Sequence, residues 1–184
     1  CFWLSTAVCK TGKNIPLVVV KNTCRKWKSQ QVKERIKPMN LSLLLSEYVK
    51  NKPLRIGLIG AGKFGSMVLA QAQHIRGLHV AAVADLDLHK AKTAFAKVGW
   101  DTKTCFSASA NEAIAARKTW LTEDVSAVCS LSEIDCIIEA TGHPLFGVRH
   151  ALQAIESGKH VIMVNVEADI LCGPYIAQKA SERG

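Results

Sequence analysis

No apolar run in these 184 residues approaches the length needed to span a bilayer. The stretch 15–20, Ile-Pro-Leu-Val-Val-Val, is far too short, so a membrane partner is not expected. Metal-ligand spacing is missing as well. The seven cysteines, at 1, 9, 24, 105, 129, 136 and 172, form no C-x-x-C pair, and none stands at a zinc-finger distance from a histidine. The histidines at 74, 79, 89, 143, 150 and 160 do not cluster, so no metal site is expected. An odd cysteine count with no secretory signal pattern before it points to reduced thiols in a cytoplasmic compartment. Cys129, Cys136 and Cys172 lie in apolar segments and are expected as small core residues.

Acids are also scarce, 15 against 24 Lys and Arg, and the formal charge of +9 invites a nucleic-acid reading. The imbalance is confined to one end. Residues 1–38 hold nine of the basic groups and one acid, Glu34; the rest of the chain holds 15 basic and 14 acidic groups. A near-neutral body argues against nucleic acid as the partner. Residues 1–38 mix aromatics, short apolar pieces and lysines without a sustained period. From Met39 the character changes, and residues 39–50 read as a short amphipathic helix capped by Asn40 or Ser42. Met39 is therefore taken as the native start and 1–38 as upstream sequence, the alternative being a basic arm or transit segment. The organisation expected is 1–38 basic segment, 39–52 helix, 53–184 main domain.

In the main domain, strand and helix signals alternate. Strands are expected at 54–59, 79–84, 135–142 and 159–165, and helices at 66–72, 88–98, 110–118, 125–131, 147–157 and 168–182, the last interrupted at Gly173-Pro174. Apolar strands separated by helices indicate an α/β fold, a doubly wound parallel sheet covered on both faces.

The first unit carries the chemistry. Gly60-Ala61-Gly62-Lys63-Phe64-Gly65 follows the strand and precedes the helix, and Asp85 ends the second strand 20 residues after Gly65. That order is the dinucleotide fingerprint of a Rossmann-type fold. Gly60 turns the chain, Gly62 lets the backbone approach a pyrophosphate, and Gly65 lets helix and strand pack closely. Ala61, Lys63 and Phe64 complete the loop, whose helix N-terminus favours anions. Asp85 is expected to accept hydrogen bonds from the adenosine ribose. Its charge repels a 2′-phosphate and favours NAD over NADP, although His89, Lys90 and Lys92 lie near enough to offset it. A rival match, Gly57, Gly62 and Lys63 as the start of G-x-x-x-x-G-K-[ST], fails because Phe64 stands where a metal-binding hydroxyl is required.

Thr141-Gly142-His143-Pro144 follows a later strand, and Asn165 ends the next. Ligands of doubly wound sheets lie beyond the carboxyl ends of strands. Thr141, Gly142, His143 and Asn165 are accordingly expected near the nicotinamide half of the cofactor. Glu139 is either a structural acid or a ribose contact. Glu167 and Asp169 are expected as first-turn acids of the last helix. No catalytic residue is assigned.

Three segments together resemble the cofactor domain of homoserine dehydrogenase-like oxidoreductases. They are Leu54-Arg55-Ile56-Gly57-Leu58-Ile59 with the glycine loop, Glu139-Ala140-Thr141-Gly142, and Val161-Ile162-Met163-Val164-Asn165-Val166-Glu167-Ala168-Asp169. The nearest branch is similar to proteins that carry a SAF-type domain after the catalytic half, among them an enzyme resembling deoxyxylulose-phosphate reductoisomerase in activity. The resemblance implies hydride transfer between a nicotinamide cofactor and a small hydroxyl or carbonyl substrate. It also implies a C-terminal substrate domain absent from this chain, and a homo-oligomeric full-length enzyme. Two departures are informative. Asn165 is followed by Val166, where homoserine dehydrogenases have lysine, and the Glu-Lys-Pro of sugar oxidoreductases is missing. A non-catalytic redox-sensing module with the same cofactor site is the alternative.

Overall fold

The computed structural model describes residues 53–183. The basic segment 1–38 and the expected helix at 39–52 lie outside the described residues. Among the described residues six strands are present: β1 (Leu54–Ile59), β2 (Leu78–Ala84), β3 (Phe106–Ser107), β4 (Thr119–Thr122), β5 (Cys136–Glu139) and β6 (His160–Met163). The helices are α1 (Lys63–Ala72), α2 (Leu88–Lys97), α3 (Ala110–Ala116), α4 (Val125–Ser130), α5 (Pro144–Glu156) and α6 (Val166–Arg183). The strands form one sheet in the order β3-β4-β2-β1-β5-β6, and every neighbouring pair is parallel. The expected Rossmann-type α/β sheet is thus present.

Side chains of β1 alternate between two cores, as the period of a strand requires. Ile56 and Leu58 join Leu69 of α1 and Phe95 of α2 on one face. Ile59 joins Val128 of α4, Ile137 of β5 and Ala154 of α5 on the other. Gly57 lies between, because a Cβ there would sit 2.8 Å from both Ile137 and Val128. Phe95 is completely buried, with Trp100 and Phe106 edge-on to it at 5.1 and 5.0 Å. Burial of a ring of that size is worth about 1.5–3 kcal/mol.

Several boundaries differ from the sequence expectation. β3 and β4 were not anticipated. α3 stops at Ala116, where Arg117 takes a left-handed φ of 54°, and β4 begins two residues later. α1 starts at Lys63 rather than 66, since the third glycine of the loop belongs to the helix. α5 starts at Pro144, a residue suited to the first turn because it needs no amide donor there. α6 runs through Gly173-Pro174 without a break. Glu167 and Asp169 are first-turn acids of α6, as expected. Cys129 and Cys136 are core residues, but Cys172 is only half-buried. Burial pushes the Cys129 thiol up to about 11 and that of Cys136 to about 12. Both are therefore protonated, unreactive core thiols at neutral pH.

Among the described residues no helix is long and apolar enough to cross a membrane. Nor do three or more His, Cys, Asp or Glu side chains there gather in a way that could hold a metal.

Candidate functional site

The chain runs from β1 outward to β3 at one edge, then returns to place β5 on the other side of β1. The direction of winding reverses between β1 and β5, which opens a crevice above their carboxyl ends. The loops after those two strands meet there. A Cβ on Gly60 would lie 2.9 Å from the Ala140 carbonyl oxygen and 3.0 Å from the Thr141 Cα. Gly60 turns sharply at φ 93°, and its amide donates to Ala84 O at 2.8 Å.

The glycines of the loop differ in what surrounds them. Gly65, in the first turn of α1, faces main chain: a Cβ there would come within 2.1 Å of Gly60 O. Gly62 faces nothing, with no atom within 4 Å of its Cβ position. Gly62 is also the N-cap of α1, and no side chain caps that helix. The first amides of a helix lack intrahelical acceptors. A bare stretch of main chain with free amides and the positive end of a dipole is a cradle for anions. A side chain at 62 would occupy this space. Lys63 and Phe64 are exposed on the first turn, Phe64 at 53%. Ser66, a residue with no motif signal of its own, donates its hydroxyl to Gly62 O at 2.8 Å.

Asp85 follows β2 and stands against the loop. Its Oδ2 accepts from the Ala61 amide at 2.7 Å and its Oδ1 from the Asp87 amide at 2.9 Å. Asp87 in turn caps α2, accepting from the Lys90 amide at 2.9 Å. Each Asp85 oxygen retains a second lone pair for a hydroxyl. The acid thus braces the glycine loop while remaining able to accept from a ribose.

Across the crevice, Thr141, Gly142 and His143 are exposed in the loop after β5. Gly142 has a φ of 73° and open space at its Cβ position. Beneath them Glu139 is fully buried. Its Oε1 accepts from Thr141 Oγ1 at 2.5 Å and from the Thr141 amide at 3.2 Å, and lies 3.4 Å from His150 Nδ1. Glu139 is therefore a structural acid, with no surface to offer a ribose. Asn165 is buried as well, at 2% exposure. Its Nδ2 donates to His143 O at 3.0 Å and its Oδ1 accepts from the Ala168 amide at 3.1 Å. Rather than lining the crevice, Asn165 caps α6 and pins the loop that does. Its spacing three residues before Ala168 was a legible cap signal.

Burial works to raise the Glu139 carboxyl, but hydrogen bonds from His150, Thr141 and Asn165 outweigh it and hold the group below its ordinary value. The unfolded chain then takes up its proton first. Stability supplied by the ionised acid is present above the ordinary carboxylate value and is lost as pH falls through the lowered one. Glu139→Gln is expected to flatten the acid limb of a stability-against-pH curve measured by chemical unfolding. An unchanged limb would show that the buried acid does not contribute there.

The family model described as an oxidoreductase family with an NAD-binding Rossmann fold, GFO_IDH_MocA, matches residues 54–163. The chain belongs to this family. No curated protein matches it. Among solved structures, a homoserine dehydrogenase from Thiobacillus denitrificans is similar at a TM-score of 0.57 and 24% identity, covering 72% of this chain and 28% of that one. A myo-inositol dehydrogenase from Lactobacillus casei, in complex with NAD(H) and myo-inositol, is similar at 0.52 and 17%, covering 69% and 33%. The WlbA dehydrogenase from Bordetella pertussis, in complex with NADH and UDP-GlcNAcA, is similar at 0.53 and 19%, covering 72% and 36%. This oxidoreductase-family chain thus spans roughly a third of the length of the structures it matches. These likenesses show a common fold. They do not support the narrower branch with a C-terminal SAF-type domain.

Proposed function

We propose that residues 53–184 are the dinucleotide half of a two-domain NAD(P)-dependent oxidoreductase. The full enzyme moves hydride between the nicotinamide and a small hydroxyl or carbonyl substrate. One observation carries this reading: the unfilled space at Gly62, at an uncapped helix N-terminus, on the crevice where the sheet reverses. In this assignment the amides of 62–65 take the pyrophosphate, Asp85 takes the adenosine ribose, and Thr141, Gly142 and His143 border the nicotinamide. Asn165 acts through that loop. The cofactor supplies the hydride; the protein's part is to hold it in place and in orientation. Substrate groups are assigned to a partner domain beyond these residues. The pattern at 161–169 resembles homoserine dehydrogenase-like cofactor domains, but Val166 in place of their lysine argues against simple homoserine dehydrogenation; a homo-oligomer is implied by the same resemblance. Reduced thiols suit a cytoplasmic setting, and a near-neutral body suits a protein without nucleic-acid or membrane partners.

Calorimetric titration with NADH tests the assignment. Binding is expected, and Asp85→Ala is expected to weaken NADH about tenfold, because hydrogen bonds to a charged acceptor are lost. NADPH should suffer less, since repulsion of the 2′-phosphate is removed as well. Equal losses for the two dinucleotides would move selectivity away from Asp85.

A further inference from the structure

Glu139 ends β5 beside Ile59, the last residue of β1, so a buried acid lies under the meeting point of the two loops. Its Oε2 is buried without a hydrogen-bond partner among the described residues, and the acid is oriented through Oε1. Two residues converge on that oxygen. Thr141 brings its hydroxyl at 2.5 Å and its amide at 3.2 Å from the loop above, and His150 Nδ1 stands 3.4 Å away on α5. Burial pushes the Glu139 carboxyl up, and among the side chains that pull it back down His150 does most. An ionised carboxylate only accepts, so Nδ1 of His150 carries the hydrogen whether the ring is neutral or protonated. The His150 side chain is 14% exposed, and the Phe146 ring stacks on it with centroids 6.1 Å apart. Phe146 in turn tilts against His143 at 4.8 Å. His143, the N-cap of α5, is followed by Phe146 and His150 at spacings of three and four, which places all three on one face. His150 therefore reaches the loop after β5 twice, through the acid below it and through the rings beside it.

Resting on the proposed cofactor site, we infer that His150 is a positioning residue for the nicotinamide end of the dinucleotide. It acts through Glu139: by donating Nδ1–H it keeps a buried carboxylate charged and turned toward Thr141. That carboxylate takes the Thr141 hydroxyl hydrogen, which leaves Thr141 Oγ1 as an acceptor. Oγ1 then accepts from the His143 amide and from Asn165 Nδ2, each at 3.4 Å. Asn165 Nδ2 also donates to His143 O at 3.0 Å. Each of these hydrogen bonds has one sense, so residues 141–143 take one arrangement at the crevice. Without the His150 donor, the buried charge loses a partner, and a charge left in that state is neutralised by taking up a proton. A protonated Glu139 can donate. The sense of the Thr141 contact then reverses, and the loop is free to rearrange. The cradle at 62–65 contains none of these residues, so the effect falls on one half of the ligand.

The full chain is titrated calorimetrically with NADH and with ADP-ribose, which differs in lacking the nicotinamide ring. The wild type is expected to bind NADH about tenfold tighter than ADP-ribose. His150→Ala should weaken NADH about tenfold and leave ADP-ribose within about twofold, because the lost hydrogen bond is one to a charged acceptor. His150→Asn places an amide N–H where Nδ1 stands and should return NADH to within about threefold of the wild type. His150→Gln carries its amide one bond further, to the level of Nε2, and should not. If alanine at 150 costs the fold, the comparison of asparagine with glutamine decides alone. Equal losses for NADH and ADP-ribose in His150→Ala, or no loss for either, overturn the positioning role. Asparagine and glutamine variants of equal NADH affinity overturn it too, since the place of the donor then has no effect. So do equal wild-type affinities for the two ligands. A wild-type chain that binds neither ligand overturns the cofactor assignment along with it.

Discussion

Gly62→Val is expected to reduce dinucleotide affinity by at least about a hundredfold while the domain stays folded. The space at position 62 holds no protein atom within 4 Å of a Cβ, so the new side chain clashes with nothing in the unliganded molecule. Its φ of −71° is ordinary for a residue with a side chain. The cost to folding is limited to a poorer helix cap, about 1 kcal/mol. What the valine removes is the approach of phosphate oxygens to the amides of the first turn. Calorimetry with NADH, together with thermal unfolding followed by circular dichroism, separates the two effects. Retained affinity in a folded variant would remove the glycine loop from the binding site.

Gly65→Ala is expected to act the other way, through stability. Its Cβ would stand 2.1 Å from Gly60 O, and both partners are main chain. No rotamer change relieves the contact; α1 must move off β1, away from the core that Leu69 shares with Leu58. Overpacking of this kind costs about 3 kcal/mol. In a domain of about 130 residues, a loss of that size is a large part of the total stability. Loss of cofactor binding should follow, because the same movement displaces the amides of the loop. Denaturant unfolding measures it directly. A variant as stable as the wild type would mean that helix and strand do not approach so closely. The pair of substitutions is expected to divide one motif into a position that serves the ligand and a position that serves the fold.

The glycine motif, the acid after β2 and the apolar runs of β1, β2, β5 and β6 were legible because each is a local pattern with a local cause. β4 was not. Thr119–Thr122 is four residues with no glycine or proline bounding it, and it becomes a strand by pairing with Ala82–Ala84 of β2. Asn165 misled for a related reason. Its place after a strand suggested a crevice residue, whereas capping of α6 and burial under the loop at 141–143 consumed its polar atoms. The Gly173-Pro174 pair suggested a break that α6 does not make.

By itself, the sequence determined that a glycine loop joins an apolar strand to a helix and that an acid ends the next strand. Backbone freedom and hydrophobic periodicity are properties of neighbours along the chain. Only the tertiary structure decided that the loops after β1 and β5 touch, and that Glu139 and Asn165 are braces rather than contacts. Those facts depend on strand order and helix packing, which bring together groups far apart in sequence.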